Sequence, residues 1–356
     1  MFVDNNFRKI LIRVPNWIGD AVMSLPAISA IKKGFKNSEV CILGKPWVAP
    51  IYFNNPMIDR IIEYRSGDLH KGLIGKVRLI NQIKRERFEI AILFQNAIEA
   101  AILAFLARIP IRVGYNTDLR GPLLTHSVKR PWKRKIHHTE YYLEMIRSSG
   151  LVKDVLNDYP NIFISSEEKR WAREFLISNG FLMDKPIVGI NPGASYGPAK
   201  RWFPERFATV GNELSKLFDA SVILFGSSED VKICREISSM LTGRFLDLSG
   251  KTTLRHLISI ISQCSVFITN DTGPMHIAAA IGVPVVAIFG STDPDLTGPV
   301  GKYVSIIRKK MDCSPCFRRT CYRNFECMDS IKVPDVINGA TYFLKNYSQH
   351  SNNFRD

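Results

Sequence analysis

KILIRVPNWIGDAVMSLPA, residues 9–27, decides the fold. The run Ile10-Leu11-Ile12, extended by Val14, is apolar without alternation, the mark of a strand buried on both faces. A turn around Gly19 follows, and then a helical pattern. Strand, tight turn and helix in that order open a nucleotide-binding α/β unit, whose turn ordinarily holds phosphate. This turn carries one glycine, no lysine and an acid, Asp20. A carboxylate repels phosphate, so the loop calls for another task. Pro26 is unsuited to a helix interior. The helix is therefore expected to start late or kink, with Gly19–Ser24 as an exposed turn.

Outward from this stretch the alternation repeats. VCILG (40–44), RIIEY (60–64), EIAILF (89–94) and IRVGY (111–115) read as further buried strands. Ser165 with Glu168 makes a capping box, and Asn179-Gly180 stops the helix it starts. Then IVGI (187–190), SVILF (221–225), FLDL (245–248), SVFIT (265–269) and VPVVAIF (283–289) repeat the layout. The chain's 356 residues exceed the roughly 250–300 at which one core stops growing. The expected fold class is α/β: two doubly wound domains, residues 1–165 and 166–332, facing each other across a cleft. Residues 333–356 supply a final helix and a polar tail.

Hydrophobic residues at 46% and charged residues at 23% suit an ordinary globular protein. The longest apolar stretch, Ala100–Ala107, is far short of the ~20 residues of a membrane span. The first residues lack the order of a signal peptide, so the expected location is the cytoplasm. A net charge of +15 implies an anionic partner. The densest basic run is Lys129-Arg130-Pro131-Trp132-Lys133-Arg134-Lys135, followed by His137 and His138. No groove-reading helix or stacking motif accompanies it, which argues against nucleic acid. No G-x-G-x-x-G follows a strand, which argues against a dinucleotide oxidoreductase.

Ligands of such sheets bind beyond the carboxyl ends of the strands. After SVFIT comes Asn270-Asp271-Thr272-Gly273-Pro274-Met275-His276. Pro274 suits the start of a helix, so Thr272 and Gly273 sit at a helix N-terminus with amides free for an anion. Asp271 is suited to sugar hydroxyls or to capping, and His276 falls one turn further on. The loop after IVGI holds Ser195 and Lys200, whose ammonium can neutralise a phosphate. Glu229, after SVILF, stands where an acid commonly takes a ribose diol, or caps a helix. Together these describe a nucleoside-diphosphate sugar site in the C-terminal half. Asp20, from the other half, is left to act as general base on an acceptor hydroxyl.

The stretches ILIRVPNWIGDAVMSLPAISAIK, NPGASYGPAKRWFPERFA, FGSSED and TNDTGPMHIAAAIGVPVVAIFGSTDP occur in that order. In these the chain resembles the ADP-heptose:lipopolysaccharide heptosyltransferases, glycosyltransferase family 9, from about Lys9 to Val333. The PGASYGPAKRW loop and the CFRRTCYRNFECM block are most similar to the members that add the second inner-core heptose. The resemblance implies a GT-B fold, an inverting transfer, ADP-heptose on the C-terminal domain and acceptor on the N-terminal one. Carried onto this sequence, Asp20 matches the base, Lys200 the diphosphate lysine and Glu229 the acid near the ribose. Asp271, Thr272, Gly273 and His276 match the segment gripping phosphates and heptose, and Ser195 a loop hydroxyl. It further implies a phosphorylated Kdo–lipid A core acceptor and peripheral contact with the cytoplasmic face of the inner membrane. Arg120, Lys129, Arg130, Lys133 and Arg134 are the expected acceptor contacts. A first-heptose or later core transferase and a GT-B nucleotide-sugar epimerase are the rival readings. The last helix, Val333–Asn346, is expected to cross back to the N-terminal domain.

No metal is required by this arrangement, although magnesium on the diphosphate is compatible with it. Three of the seven cysteines, Cys41, Cys234 and Cys264, lie in or beside apolar runs and read as core. The other four, Cys313-x2-Cys316-x4-Cys321-x5-Cys327, form a candidate structural zinc or iron–sulfur cluster, with only one C-x2-C pair.

Overall fold

The computed structural model describes residues 7–131, 135–152, 155 and 158–345. The chain divides into two compact units, Met1–Phe163 and Ile164–Asp356.

In the first unit, β1 (Lys9–Arg13), β2 (Glu39–Gly44), β3 (Arg60–Glu63), β4 (Ile90–Leu93), β5 (Ile111–Tyr115) and β6 (His126–Val128) form one parallel sheet. Its order is β3-β2-β1-β4-β5-β6. The helices are α1 (Ile18–Met23), α2 (Leu25–Gly34), α3 (Gly72–Glu86), α4 (Ile98–Leu106) and α5 (His138–Ser149). β1 and β4 are apolar on both faces because helices cover both, and Ile10, Ile12, Ala91 and Ile92 are wholly buried.

The opening stretch departs from its expectation. Gly19–Ser24 is not an exposed turn: α1 begins at Ile18 and breaks at Ser24, and α2 restarts with Pro26 in its first turn. There the missing N–H of proline costs nothing. Ala21, Val22 and Met23 are buried, and only the first turn of α1 meets solvent.

The second unit opens with α6 (Ser166–Ser178), capped by the reciprocal Ser165–Glu168 box. Its strands are β7 (Ile187–Asn191), β8 (Ser221–Leu224), β9 (Phe245–Asp247), β10 (Val266–Asn270), β11 (Val285–Phe289) and β12 (Val304–Arg308). They order as β12-β11-β10-β7-β8-β9, the first sheet's pattern again. Helices α7 (Pro204–Phe218), α8 (Val231–Met240), α9 (Leu254–Ile261), α10 (Gly273–Ala280), α11 (Pro294–Thr297), α12 (Glu326–Asp329) and α13 (Val333–Lys345) complete it.

The final helix corrects a second expectation. Val336, Ala340, Phe343 and Leu344 of α13 are buried in the core of the second unit, with Trp202, Phe207 and Val286. The helix is amphipathic, and its apolar stripe is spent against α7 and the sheet of its own unit. The indole N–H of Trp202 donates to the Ile331 carbonyl at 3.1 Å, tying the approach to α13 into that core.

Candidate functional site

Each sheet reverses its strand order next to its own first strand, at β1/β4 and at β7/β10. Ligands of doubly wound sheets bind at such a switch point, beyond the carboxyl ends of the strands.

In the second unit the loop after β7 and the start of α10 after β10 meet at that point. Lys200 Nζ lies 2.6 Å from Asp271 Oδ2, and Thr292 Oγ1 donates to the same oxygen at 2.7 Å. Both partners of the ion pair are largely withdrawn from water, which strengthens their attraction and makes loss of either one costly. Asp271 is not a helix cap: Thr272 holds that position with extended backbone, its side chain making no capping bond. Asn191 Nδ2 donates to Thr272 Oγ1 at 3.3 Å, and Asn270 bridges Pro192 and Trp202. These bonds hold the two switch-point loops together. The amides at the start of α10 and the Lys200 ammonium, whose charge is balanced here by the Asp271 carboxylate, thus meet in one place.

Ser195 is exposed on the same loop. Tyr196 stands beside it, its ring 4.9 Å from Lys200 Nζ and 5.3 Å from the Arg319 guanidinium. Glu229 is exposed after β8, whereas its neighbour Asp230 is buried and accepts from Ser227 N at 3.0 Å and Ser227 Oγ at 2.7 Å. Gly193 is required at its position, since a Cβ there would come within 2.3 Å of the Asp230 carboxyl carbon. His276 is buried within α10. The sequence missed Thr292 and Tyr196 as partners of Lys200. The signal for Thr292 was present, a polar Ser-Thr-Asp directly after a buried strand.

The cysteine block is a wall of this site. Cys316 N and Phe317 N donate to Ser291 O at 3.1 and 2.8 Å, and Tyr196 OH donates to Phe317 O at 2.8 Å. Ala199 N donates to Arg319 O at 3.0 Å. Gly197 (φ 153°) is pressed so closely on Arg319 that a Cβ would stand 2.5 Å from its carbonyl oxygen. Cys321 Sγ accepts backbone N–H groups from Arg323 and Phe325 at 3.4 and 3.3 Å, and the four thiols are free. Among the described residues no three His, Cys, Asp or Glu side chains are arranged to hold a metal ion. Burial raises the pKa of the Cys327 thiol, and Cys313, Cys321 and Cys316 add to the rise, so the four thiols share one neighbourhood.

In the first unit Asp20 sits in the first turn of α1, beyond the end of β1, where the helix dipole favours a carboxylate. Its side chain is about a quarter exposed, and His138 Nδ1, at the start of α5, lies 3.3 Å from Oδ1. Beneath them Tyr52 and Tyr142 are buried, and burial holds both phenols well above their ordinary range, with the Asp20 charge adding to it. The His138 ring lies 6.3 Å from that of Tyr141, and Tyr141 carries the Arg130 guanidinium 5.8 Å above it. The basic run thus leads toward Asp20. Lys129 and Arg130 are exposed, while Trp132, Lys133 and Arg134 lie outside the described residues.

Arg120 corrects a third expectation. It is 0% exposed and its guanidinium is spent on backbone carbonyls: Nε to Tyr115 O at 2.7 Å, with Gln95 O and Asn96 Oδ1 also engaged. Burial lowers its pKa to about 10. It staples the ends of β4 and β5, and its burial keeps it from the surface where an acceptor would arrive. Sequence reasoning also missed Arg13, the last residue of β1. It is buried, bonded to Val14 O and to Asn16 Oδ1, and brought down to about 10 by desolvation.

A pair of Rossmann-ordered units, with a lysine beside a helix start in the second and a carboxylate after the first strand of the first, is the build of a GT-B glycosyltransferase. The model of glycosyltransferase family 9 (heptosyltransferase) matches residues 76–325, and the chain belongs to that family. It is 30% identical over 344 residues to lipooligosaccharide heptosyltransferase 2 of Campylobacter jejuni, covering 95% of this chain and 99% of that one. To lipooligosaccharide heptosyltransferase 2 of Haemophilus influenzae it is 31% identical over 314 residues, covering 84% and 88%. A solved family 9 glycosyltransferase from Veillonella parvula superposes with a TM-score of 0.85 at 25% identity, covering 97% and 99%.

Proposed function

We propose that this glycosyltransferase moves heptose from ADP-heptose onto the heptose of a lipopolysaccharide inner core, inverting the anomeric centre. The observation that carries the reading is the Lys200–Asp271–Thr292 group beside the start of α10. It is a preset cation at a helix N-terminus, suited to a leaving diphosphate. The names of the family relatives supply the sugar and the acceptor.

In this reading Lys200 and the first amides of α10 take up the charge that develops as the bond from the anomeric carbon to the diphosphate breaks. Asp271 and Thr292 hold the ammonium in place beforehand, so it need not be ordered during the reaction. Glu229 and Ser195 are exposed for the ribose and sugar hydroxyls. Asp20 accepts the proton of the acceptor hydroxyl, and His138 steadies its carboxylate. Lys129 and Arg130 meet acceptor phosphates. Positive charge for the diphosphate is supplied by the protein, so transfer is expected to persist in EDTA. The acceptor's lipid anchor places the work at the cytoplasmic face of the inner membrane, by peripheral contact.

The test is transfer from ADP-heptose to purified core acceptors carrying no heptose or one. Product on the one-heptose acceptor alone is expected, with Asp20→Asn abolishing transfer while ADP still binds. Product on the heptose-free acceptor would reassign the chain to the first transfer. ADP-heptose turnover without any acceptor would end the transferase reading.

A further inference from the structure

The first unit exposes an apolar ridge that its fold does not use. On α4, Ile98, Ile102, Phe105 and Leu106 are exposed at helical spacing, on the face opposite the buried Ala101, Leu103 and Ala104. The start of α3 adds Leu73 and Ile74, 83% and 81% exposed, and Val77 one turn on. The two patches are fastened together. Lys76 Nζ on α3 lies 2.8 Å from Glu99 Oε1 on α4, and Tyr64 OH donates to the same oxygen at 2.9 Å. The acid between the patches is thus paired with Lys76 and hydrogen-bonded by Tyr64.

Cations border the ridge. Lys71 precedes α3 and Arg78 lies within it, both exposed. Arg108 follows α4, and the Arg112 guanidinium sits 5.4 Å from the Phe105 ring. An apolar ridge edged by basic groups matches an anionic lipid surface, where the side chains enter the acyl boundary and the cations meet phosphates. A second copy of the chain fits less well. An isologous contact through this ridge would bring the cationic rim of one copy against the same rim of the other. No helix among the described residues is long and apolar enough to cross a membrane, so the contact would be interfacial.

We infer that the α3–α4 face of the first unit docks on an anionic phospholipid bilayer. The inference deepens the proposed function and rests on it for biological sense, since a lipid-anchored acceptor must be met at such a surface. The unit that docks is the one that carries Asp20.

The full chain is sedimented with phosphatidylglycerol–phosphatidylethanolamine vesicles and with pure phosphatidylcholine vesicles. Binding to the first and little to the second is expected. L73S/I74S, and separately K71Q/R108Q, should each weaken partition about tenfold or more, with melting temperature unchanged because these side chains are exposed. Transfer to a deacylated, water-soluble acceptor should be unaffected in both variants. Undiminished binding by the variants, or no binding of the unaltered chain to the anionic vesicles, would overturn the inference. So would a dimer in sedimentation velocity that L73S/I74S dissolves, which would give the ridge to a second copy. Failure of transfer to every acceptor would count against the proposed function and leave the vesicle result standing.

Discussion

Lys200 is held by a carboxylate in the place where the proposed function needs it for a phosphate. The ammonium is shared between Asp271, 2.6 Å away, and the ring of Tyr196, so in the proposed reading a diphosphate at α10 would find it already oriented. Preset charge is what makes an electrostatic contribution to catalysis large, because no reorganisation remains at the moment of reaction. Lys200→Met should lower kcat/KM about a hundred- to a thousandfold and weaken ADP binding in calorimetry. Unchanged ADP affinity would remove Lys200 from the donor site. The residue types of this site were legible in the sequence because they follow buried strands directly. What they touch was not. Asp271 read as a sugar ligand or a cap, and it is the partner of Lys200. Arg120 read as an acceptor contact, and it is a buried staple. Nothing local distinguishes a solvated arginine from one enclosed by the carbonyls of Leu93, Gln95 and Tyr115, since that environment exists only once β4 and β5 are paired.

Among the elements, the ten strands expected from apolar runs are all present, and the two that sequence analysis missed, β6 and β12, lie at sheet edges. An edge strand is covered less and so carries a weaker apolar signature: β6 is His-Ser-Val, and β12 has no fully buried residue. The α1–α2 break was half legible. Pro26 announced an interruption, but the interruption falls at Ser24 and not before Asp20, so the acid belongs to a helix's first turn. The destination of α13 could not be read from its own pattern, because an amphipathic stripe says that a partner exists and not which one. Phe343 buries its ring with Trp202 in the second unit. Phe343→Ala should cost about 3 kcal/mol. Thermal or urea unfolding measures it, and a loss under about half a kcal/mol would mean that the helix contributes little to that core.

At the scale of the whole chain, each unit carries its own sheet and core, so a ligand of one should report on that one. ADP at about a hundred times its dissociation constant should stabilise the unit that binds it by about 2.7 kcal/mol. Hydrogen exchange should then slow at residues 191–203 and 270–276, with the backbone of β1 to β6 unaffected. Slowing confined to the first unit would reverse the assignment of donor and acceptor. The doubling of the fold was plain from the recurring strand pattern, whereas the shared strand order emerged only from the pairing.

That repetition makes the loop after the first strand a natural comparison between the halves. After β7 it delivers a cation, Lys200, and after β1 it delivers an anion, Asp20. Two crevices of nucleotide-binding shape would ordinarily compete for one nucleotide, and a chain with a duplicated architecture could waste its donor in the wrong half. In the proposed reading the lysine of one loop and the acid of the other remove that ambiguity. On that reading the diphosphate is admitted to the second unit alone, and calorimetry should find one ADP bound per chain at saturation.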